Sequence, residues 1–261
     1  MADKNDGGIV ETIKTIFWAL LIAGIFRSLF FQPFFIPTGS MKDTLLIGDF
    51  VFVNKMAYGY SKYSCPFAMC PIPGRILASD PERGDIVVFR HPTQGSDFVK
   101  RLIGLPGDKV QVKKGVLYIN GEAAPQVPAG NFEEIFESQG SFGTRPKCAN
   151  GPVGEGALCI KPRATETLPG GHAHDVLNVA DYPGLPDNTD VYTVPEGHYF
   201  FMGDNRDNST DSRFDQRAGG VGMVSSEYLL GRVDRVMFSA AGKRLVYFWT
   251  WRPDRFFKKV E

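Results

Sequence analysis

Between Thr15 and Phe35 only one residue, Arg27, carries a charge. Counted from Ile9 to Phe26 at ~1.5 Å per residue, a helix would be roughly 27 Å long, close to the thickness of a bilayer's hydrocarbon core. Glu11 and Lys14 would sit near one interface and Arg27 would snorkel to the other. Phe26, Phe30, Phe31, Phe34 and Phe35 form an aromatic zone where the chain leaves lipid. A cleaved signal peptide would need a basic start and an A-x-A site. The start instead mixes Asp3, Lys4 and Asp6, and Arg27-Ser28-Leu29-Phe30 follows the apolar core. A buried core helix is the other reading. Lys4 and Lys14 precede the span while Arg27, Lys42 and Lys55 follow it, so charge counting does not orient it.

Beyond Phe35 the pattern changes to short apolar runs between turn signals. Asp49 to Val53, Ile86 to Phe89, Phe98 to Ile103, Asp190 to Val194, His198 to Met202, Val233 to Phe238 and Leu245 to Trp249 read as strands. Lys109 to Val112 and Val116 to Ile119, joined by Lys113-Lys114-Gly115, read as a hairpin, and Asn120-Gly121 as a further turn. Only Ser225 to Leu230 predicts a short helix. From Glu122 to Asn188 the chain is rich in Gly, Pro and polar residues with little periodicity, which predicts an inserted loop-rich subdomain. The basic, aromatic stretch from Arg252 to Lys259 reads as a solvated tail, with contact to lipid headgroups as the alternative.

Composition supports the β reading: 29 Gly and 18 Pro suit a turn-rich β protein better than a helical bundle. The formal net charge is zero, so nothing argues for nucleic acid or an acidic substrate as a partner. Cys65, Cys70, Cys148 and Cys159 include no C-x-x-C pair, and no histidine lies near the first two, which speaks against zinc. The pairings Cys65–Cys70 and Cys148–Cys159 are open to a domain outside the cytosol. Four free buried thiols are the other possibility.

Three segments carry candidate chemistry. Ser40 follows Gly39, which allows close backbone approach, and Thr38 places a second hydroxyl where it can donate to a developing oxyanion beside the Ser40 N–H. Position 42 is Lys rather than Gly, so this is not the G-x-S-x-G nucleophile elbow. Lys100 lies in the apolar run Phe98-Val99-Lys100-Arg101-Leu102-Ile103, where burial would lower its pKa toward that of a general base. On a strand Arg101 points to the opposite face and needs an acid partner of its own. The histidines His91, His172, His174 and His198 show no partner pattern. Gly203-Asp204-Asn205-Arg206-Asp207-Asn208-Ser209-Thr210-Asp211-Ser212-Arg213 is dense in polar groups. It fails the calcium-loop template in both registers for want of the glycine, and so reads as a scaffold of charge pairs and Asx turns.

In this order after an N-terminal anchor, these segments resemble bacterial type I signal peptidases. The resemblance covers Pro33 to Asp49, Gly84 to Phe89, Phe98 to Asp108 and Gly203 to Arg213, with Val221-Gly222 and Leu230-Gly231-Arg232 extending it. It implies a Ser–Lys endopeptidase that needs no metal or organic cofactor and removes signal peptides from exported preproteins after small residues at −1 and −3. Ser40 would be the nucleophile, Lys100 the general base, and Thr38 the hydroxyl that completes the oxyanion hole. Ser209 would hold Lys100 by a hydrogen bond, while Asp204, Arg101, Asp211 and Arg213 brace the site by ion pairs. Phe34, Ile36, Leu45, Val51, Phe98 and Val99 would line the substrate pockets. The chain departs from the common serine box at Thr38, where Ser is usual, and at Asp43, where Pro is frequent. Many members carry two spans before the serine, whereas this sequence shows one.

The expected architecture is a mostly β protein. An antiparallel catalytic domain (30–121 and 189–251) holds an inserted β/loop subdomain (122–188). Before it come a tail (1–8) and one transmembrane helix (9–29), and after it a basic tail (252–261). The expected location is the bacterial cytoplasmic membrane, with the catalytic domain on the periplasmic face. Two rivals are a processing peptidase of the same clan with one dedicated substrate, such as a pilin, and a non-catalytic tethered β-domain. The Ser40/Lys100/Ser209 set disfavours the second.

Overall fold

The computed structural model describes residues 6–65, 68–140, 142–241 and 247–260. Helix α1 (Asp6–Leu29) opens the chain. Its Gly8–Leu29 stretch is long and apolar enough to cross a membrane, and none of it is buried against the rest of the protein. A helix apolar on every side and left uncovered needs an apolar solvent.

Strands follow in chain order. The first group is β1 (Phe31–Phe35), β2 (Asp49–Asn54), β3 (Tyr60–Ser61), β4 (Arg75–Ile76), β5 (Ile86–Arg90) and β6 (Asp97–Gly104). Then come β7 (Lys109–Lys113), β8 (Val116–Ile119), β9 (Glu122–Ala123), β10 (Gln126–Ile135), β11 (Leu158–Thr167) and β12 (Ala173–Leu177). The last are β13 (Tyr192–Thr193), β14 (His198–Met202), β15 (Val224–Ser225) and β16 (Leu229–Ser239). The main sheet runs β1-β2-β16-β5-β6-β14-β15, a second β13-β7-β8-β9, and a third β10-β11-β12. All these pairings are antiparallel. The β7–β8 turn forms as the hairpin pattern requires, with Lys114 and Gly115 both at positive φ.

The structure corrects four expectations. Residues 122–188 are not short of regular structure: β10 and β11 are ten residues each, and β10 alternates exposed and half-buried positions from Asn131 to Ile135. A bulge between Pro128 and Asn131, with Gly130 inside it at positive φ, interrupts the period that would have revealed the strand. Ser225 to Leu230 is not a helix but one 3₁₀ turn, Ser226–Tyr228, that leads into β16. Of the strand expected over Leu245 to Trp249, Leu245 and Val246 lie outside the described residues, and Phe248–Thr250 is a 3₁₀ turn.

The fourth concerns the C-terminal stretch, which is tied to the domain at Arg252 and Arg255 rather than free, although most of its residues are exposed. Arg255 is buried and bonds both oxygens of Asp49 as well as the Thr44 carbonyl, and Arg252 reaches the Ile47 carbonyl. A chain of ring contacts runs Phe35–Phe50–Phe238–Trp251–Phe256 from the C-terminal end of β1 across β2 and β16 into this stretch. The structure joins the cysteines as Cys65–Cys70 and Cys148–Cys159.

Candidate active site

The serine turn is set by what lies on either side of it. Ile36, Met41 and Leu45 are buried in the core cluster with Val51, Val53, Ile86 and Val88. Met41, directly after Ser40, and Leu45 are fully inaccessible, and the Leu45 N–H donates to the Met41 carbonyl at 2.8 Å. Burying two such side chains contributes about 1.5–3 kcal/mol each, enough to hold the turn in one place. On its other side, Asn205 donates from its backbone N to the Ser40 carbonyl (3.1 Å) and from Nδ2 to the Gly39 carbonyl (2.8 Å). Gly203 allows this approach, because a Cβ there would lie 2.5 Å from the Ser40 carbonyl oxygen and 2.3 Å from Ser209 Oγ. Sequence reasoning did not single out Asn205 or Gly203. The signal for both was their place inside the Gly203–Arg213 box.

Lys100 stands opposite Val87 in the β5–β6 register, and its Nζ bonds Ser40 Oγ at 2.6 Å and the Val99 carbonyl at 3.1 Å. The Phe98 ring centroid is 5.6 Å from the same nitrogen. Lys100 is 4% exposed. Burial pulls its pKa down to about 8; Asp211 and Asp204 resist this and Arg213 adds to it. A side chain in this state is part amine near neutral pH and can accept the proton of the hydroxyl it touches.

Two ion pairs lie behind the lysine, both almost inaccessible. Arg101 holds Asp204 with two bonds, Nε to Oδ1 at 2.9 Å and Nη2 to Oδ2 at 2.7 Å, and Nη1 reaches the Gly84 carbonyl. Thr44, which the sequence did not mark, adds its hydroxyl to Asp204 Oδ2 at 2.5 Å. Arg213 bonds both oxygens of Asp211 and donates to the Arg206 carbonyl, while Asp211 accepts the Gly203 N–H at 3.0 Å. Burial alone would raise Asp211; Arg213 and the Gly203 N–H outweigh it and hold the carboxyl below its ordinary value.

Two expectations come out differently in detail. Ser209 does not bond Lys100. Its buried Oγ finds no hydrogen-bond partner among the described residues, though it lies close enough to Asp211 to favour the ionised carboxylate. Ile36, Leu45 and Val51 are closed into the core rather than open to a pocket, whereas Phe34, Val99 and Phe98 are half-buried and can still meet a ligand. Asp43 accepts a bond from Arg163 of β11 at 2.9 Å. Thr38 is exposed beside the buried Gly39 and Ser40. No group of three His, Cys, Asp or Glu residues among those described could hold a metal ion.

Residues 9–238 match the family model described as signal peptidase, peptidase S26. Among curated relatives, "Signal peptidase I" of Rickettsia typhi is 37% identical over 244 residues, covering 90% of this chain and 83% of that protein. "Signal peptidase I" of Rickettsia canadensis is 40% identical over 234 residues, covering 87% and 78%. A crystal structure of a signal peptidase I from Enterococcus faecalis is 28% identical and covers 59% of this chain and 97% of its own, at a TM-score of 0.31, too loose a superposition for any geometric comparison.

Proposed function

This chain belongs to the signal peptidase family, peptidase S26, and from that premise we propose that Ser40 is its nucleophile and Lys100 its general base. Members of the family are serine peptidases that cleave signal peptides. The observation that carries the residue assignment is the 2.6 Å contact between Lys100 Nζ and Ser40 Oγ, made by a lysine that burial has brought to about 8.

In the proposed reaction the neutral Lys100 amine takes the Ser40 proton as Oγ attacks the scissile carbonyl. The oxyanion is held between the Ser40 N–H and the Thr38 hydroxyl. Lys100 then gives its proton to the departing amine, and water activated by the same lysine releases the signal peptide from Ser40. Phe34, Phe98 and Val99 meet the small side chains at −1 and −3. Asp204, Arg101, Asp211 and Arg213 keep the Gly203–Arg213 box against the serine turn, and Ser209 fills the space beside Gly203 and Asp211.

The helix α1 anchors the enzyme in the cytoplasmic membrane, and the catalytic domain lies on the periplasmic face. Two observations favour that placement: the cysteines are joined as two disulfides, which fits a compartment outside the cytosol, and Phe248, Trp249 and Phe257 are exposed, an aromatic set suited to a lipid interface. Preprotein signal peptides are the substrate and lipid is the surrounding partner; no metal or organic cofactor and no nucleic acid enters the proposal. The test is incubation of the detergent-solubilised protein with a preprotein carrying an A-x-A site. Cleavage by the native chain and none by Ser40→Ala is expected, and turnover by the variant would sink the assignment.

Two further outcomes follow from the same geometry. Only the neutral amine accepts a proton, so kcat/KM is expected to rise with pH through an apparent pKa near 8 and to fall about tenfold per unit well below it. A profile flat from pH 8 to pH 5 would rule out a lysine base. Thr38→Val removes one oxyanion donor and should lower kcat by ~10²-fold with KM little changed; an unchanged kcat would take Thr38 out of the oxyanion hole.

A further inference from the structure

Two residues after the nucleophile, the basic side chain of Lys42 is only 4% exposed. Its stem folds back over Gly39: a Cβ on that glycine would come within 3.1 Å of Lys42 Cε and 3.3 Å of Cδ. Its ammonium bonds Glu134 of β10 and Gln139 Oε1, the latter at 2.7 Å, and Gln139 Nε2 closes the triangle on Glu134 at 2.8 Å. From the neighbouring strand Lys161, fully buried, pairs with the other Glu134 oxygen at 2.6 Å. The Phe132 ring lies about 6 Å from both ammonium groups, at 6.0 and 5.9 Å. Phe132 and Glu134 on β10, with Cys159 and Lys161 on β11, follow the two-residue period and so share one face of the inserted sheet.

Two other contacts join this sheet's region to the same turn. Arg163 of β11 bonds Asp43, and Gly140 sits so close to the Pro37 carbonyl that a Cβ would lie 2.6 Å from its oxygen. The segment from Pro37 to Asp43 is therefore gripped from both sides, by Asn205 on one and by residues 134–163 on the other.

Stability alone does not explain this cluster. A buried ion pair gains little over an apolar side chain of the same shape, because the desolvation cost offsets the attraction. Here two ammonium groups share one carboxylate, which makes the balance worse. Burial lowers the pKa of Lys42 in spite of Glu134, and the two lysines hold Glu134 below its ordinary value against the opposing effect of burial. What such a pair does supply is direction, since it has one satisfactory geometry where a methionine has many.

We propose that the clasp of Lys42 on Glu134 and Gln139 positions the nucleophile turn, so that Lys42 is a positioning residue for the reaction and the inserted sheet is part of the catalytic apparatus. This rests on the Ser40–Lys100 reading above. Lys42 acts through Gly39, whose neighbours Thr38 and Ser40 carry the two proposed oxyanion donors. A displacement there on the order of 1 Å costs about 10²-fold in rate while substrate binding is untouched.

The experiment compares native enzyme, Lys42→Met, Lys42→Arg, Glu134→Gln and the Lys42→Met/Glu134→Gln double variant on one preprotein, with Ser40→Ala as the blank. Lys42→Met and Glu134→Gln should each lower kcat by about 10- to 100-fold with KM within about twofold. The double variant should be no slower than the worse single, and Lys42→Arg should recover most of the rate. The acid limb of the pH profile should stay where it is in native enzyme. If the native enzyme cleaves and Lys42→Met matches it within twofold, the clasp does not position the turn. Losses that multiply in the double variant, or that fall on KM alone, overturn it too. A shifted acid limb would mean that Lys42 acts on the ionisation of Lys100 and not on position. Should Lys42→Met fail to fold, Glu134→Gln and Gln139→Ala carry the same comparison, and native rates in both overturn the proposal. A native enzyme that does not cleave at all brings down the Ser40–Lys100 reading itself.

Discussion

Lys100→Met is expected to lower kcat for preprotein cleavage by about 10³- to 10⁴-fold and to leave a protein at least as stable as the native one at neutral pH. The first half follows from removing the group that takes and returns the proton, since a serine hydroxyl without its base is a poor nucleophile. The second half follows from the low pKa. Lys100 goes from its ordinary value of 10.5 to about 8 on folding, so the unfolded chain binds the extra proton more tightly than the folded one. Below pH 8 this penalty is fully present and amounts to roughly 3 kcal/mol. It fades as pH rises from 8 toward 10.5, so stability contributed by this site increases across that window. Methionine has a similar shape and no charge to desolvate, which removes the penalty at the cost of the bonds to Ser40 and Val99. Single-turnover kinetics and a urea titration at pH 7 check both halves. Activity within tenfold of native would contradict the role of the lysine, and a loss of several kcal/mol would contradict the penalty.

Asp204→Ala is expected to cost about 3–5 kcal/mol, the largest stability loss among the site residues. It would leave the Arg101 guanidinium, which has no solvent access, without its carboxylate, and would strip the Thr44 hydroxyl of its acceptor. At about 2–4 °C per kcal/mol for a chain of this size, the melting temperature should fall by roughly 6–20 °C. The control is Glu155→Ala, which breaks the Arg145–Glu155 pair at a site more than half exposed. That loss should stay below about 1 kcal/mol, because water and salt screen the pair. Equal effects from the two variants would show that burial does not set the value of the Arg101–Asp204 pair.

The comparison of these two pairs shows where a sequence stops being readable. Arg101 in an apolar strand announces that it needs an acid, but the strand cannot say which one, and Asp204 lies far along the chain. The Gly203–Arg213 box could be recognised as a unit, yet the contribution of Asn205 to holding the Gly39 and Ser40 carbonyls depends on a backbone approach that only Gly203 allows. Lys42 gave no signal either, since a lysine on a turn is ordinarily solvated and its carboxylate is on another sheet.

By itself the sequence determined the features that local pattern encodes: an apolar helix of membrane length, the hairpin from Lys109 to Ile119, the strands around Val51, Val87, Lys100 and Phe200, and a serine and a lysine of the right chemical kind. These are legible because burial on one face imposes a period on neighbouring residues. The tertiary structure alone decided that β5 and β14 flank β6, that Lys100 meets Ser40, that Arg255 pairs with Asp49, and that an inserted sheet grips the nucleophile turn. Those contacts join residues far apart in the chain. Buried polar groups must be paired, but their partners are chosen by how whole sheets come together, and no local period records that choice.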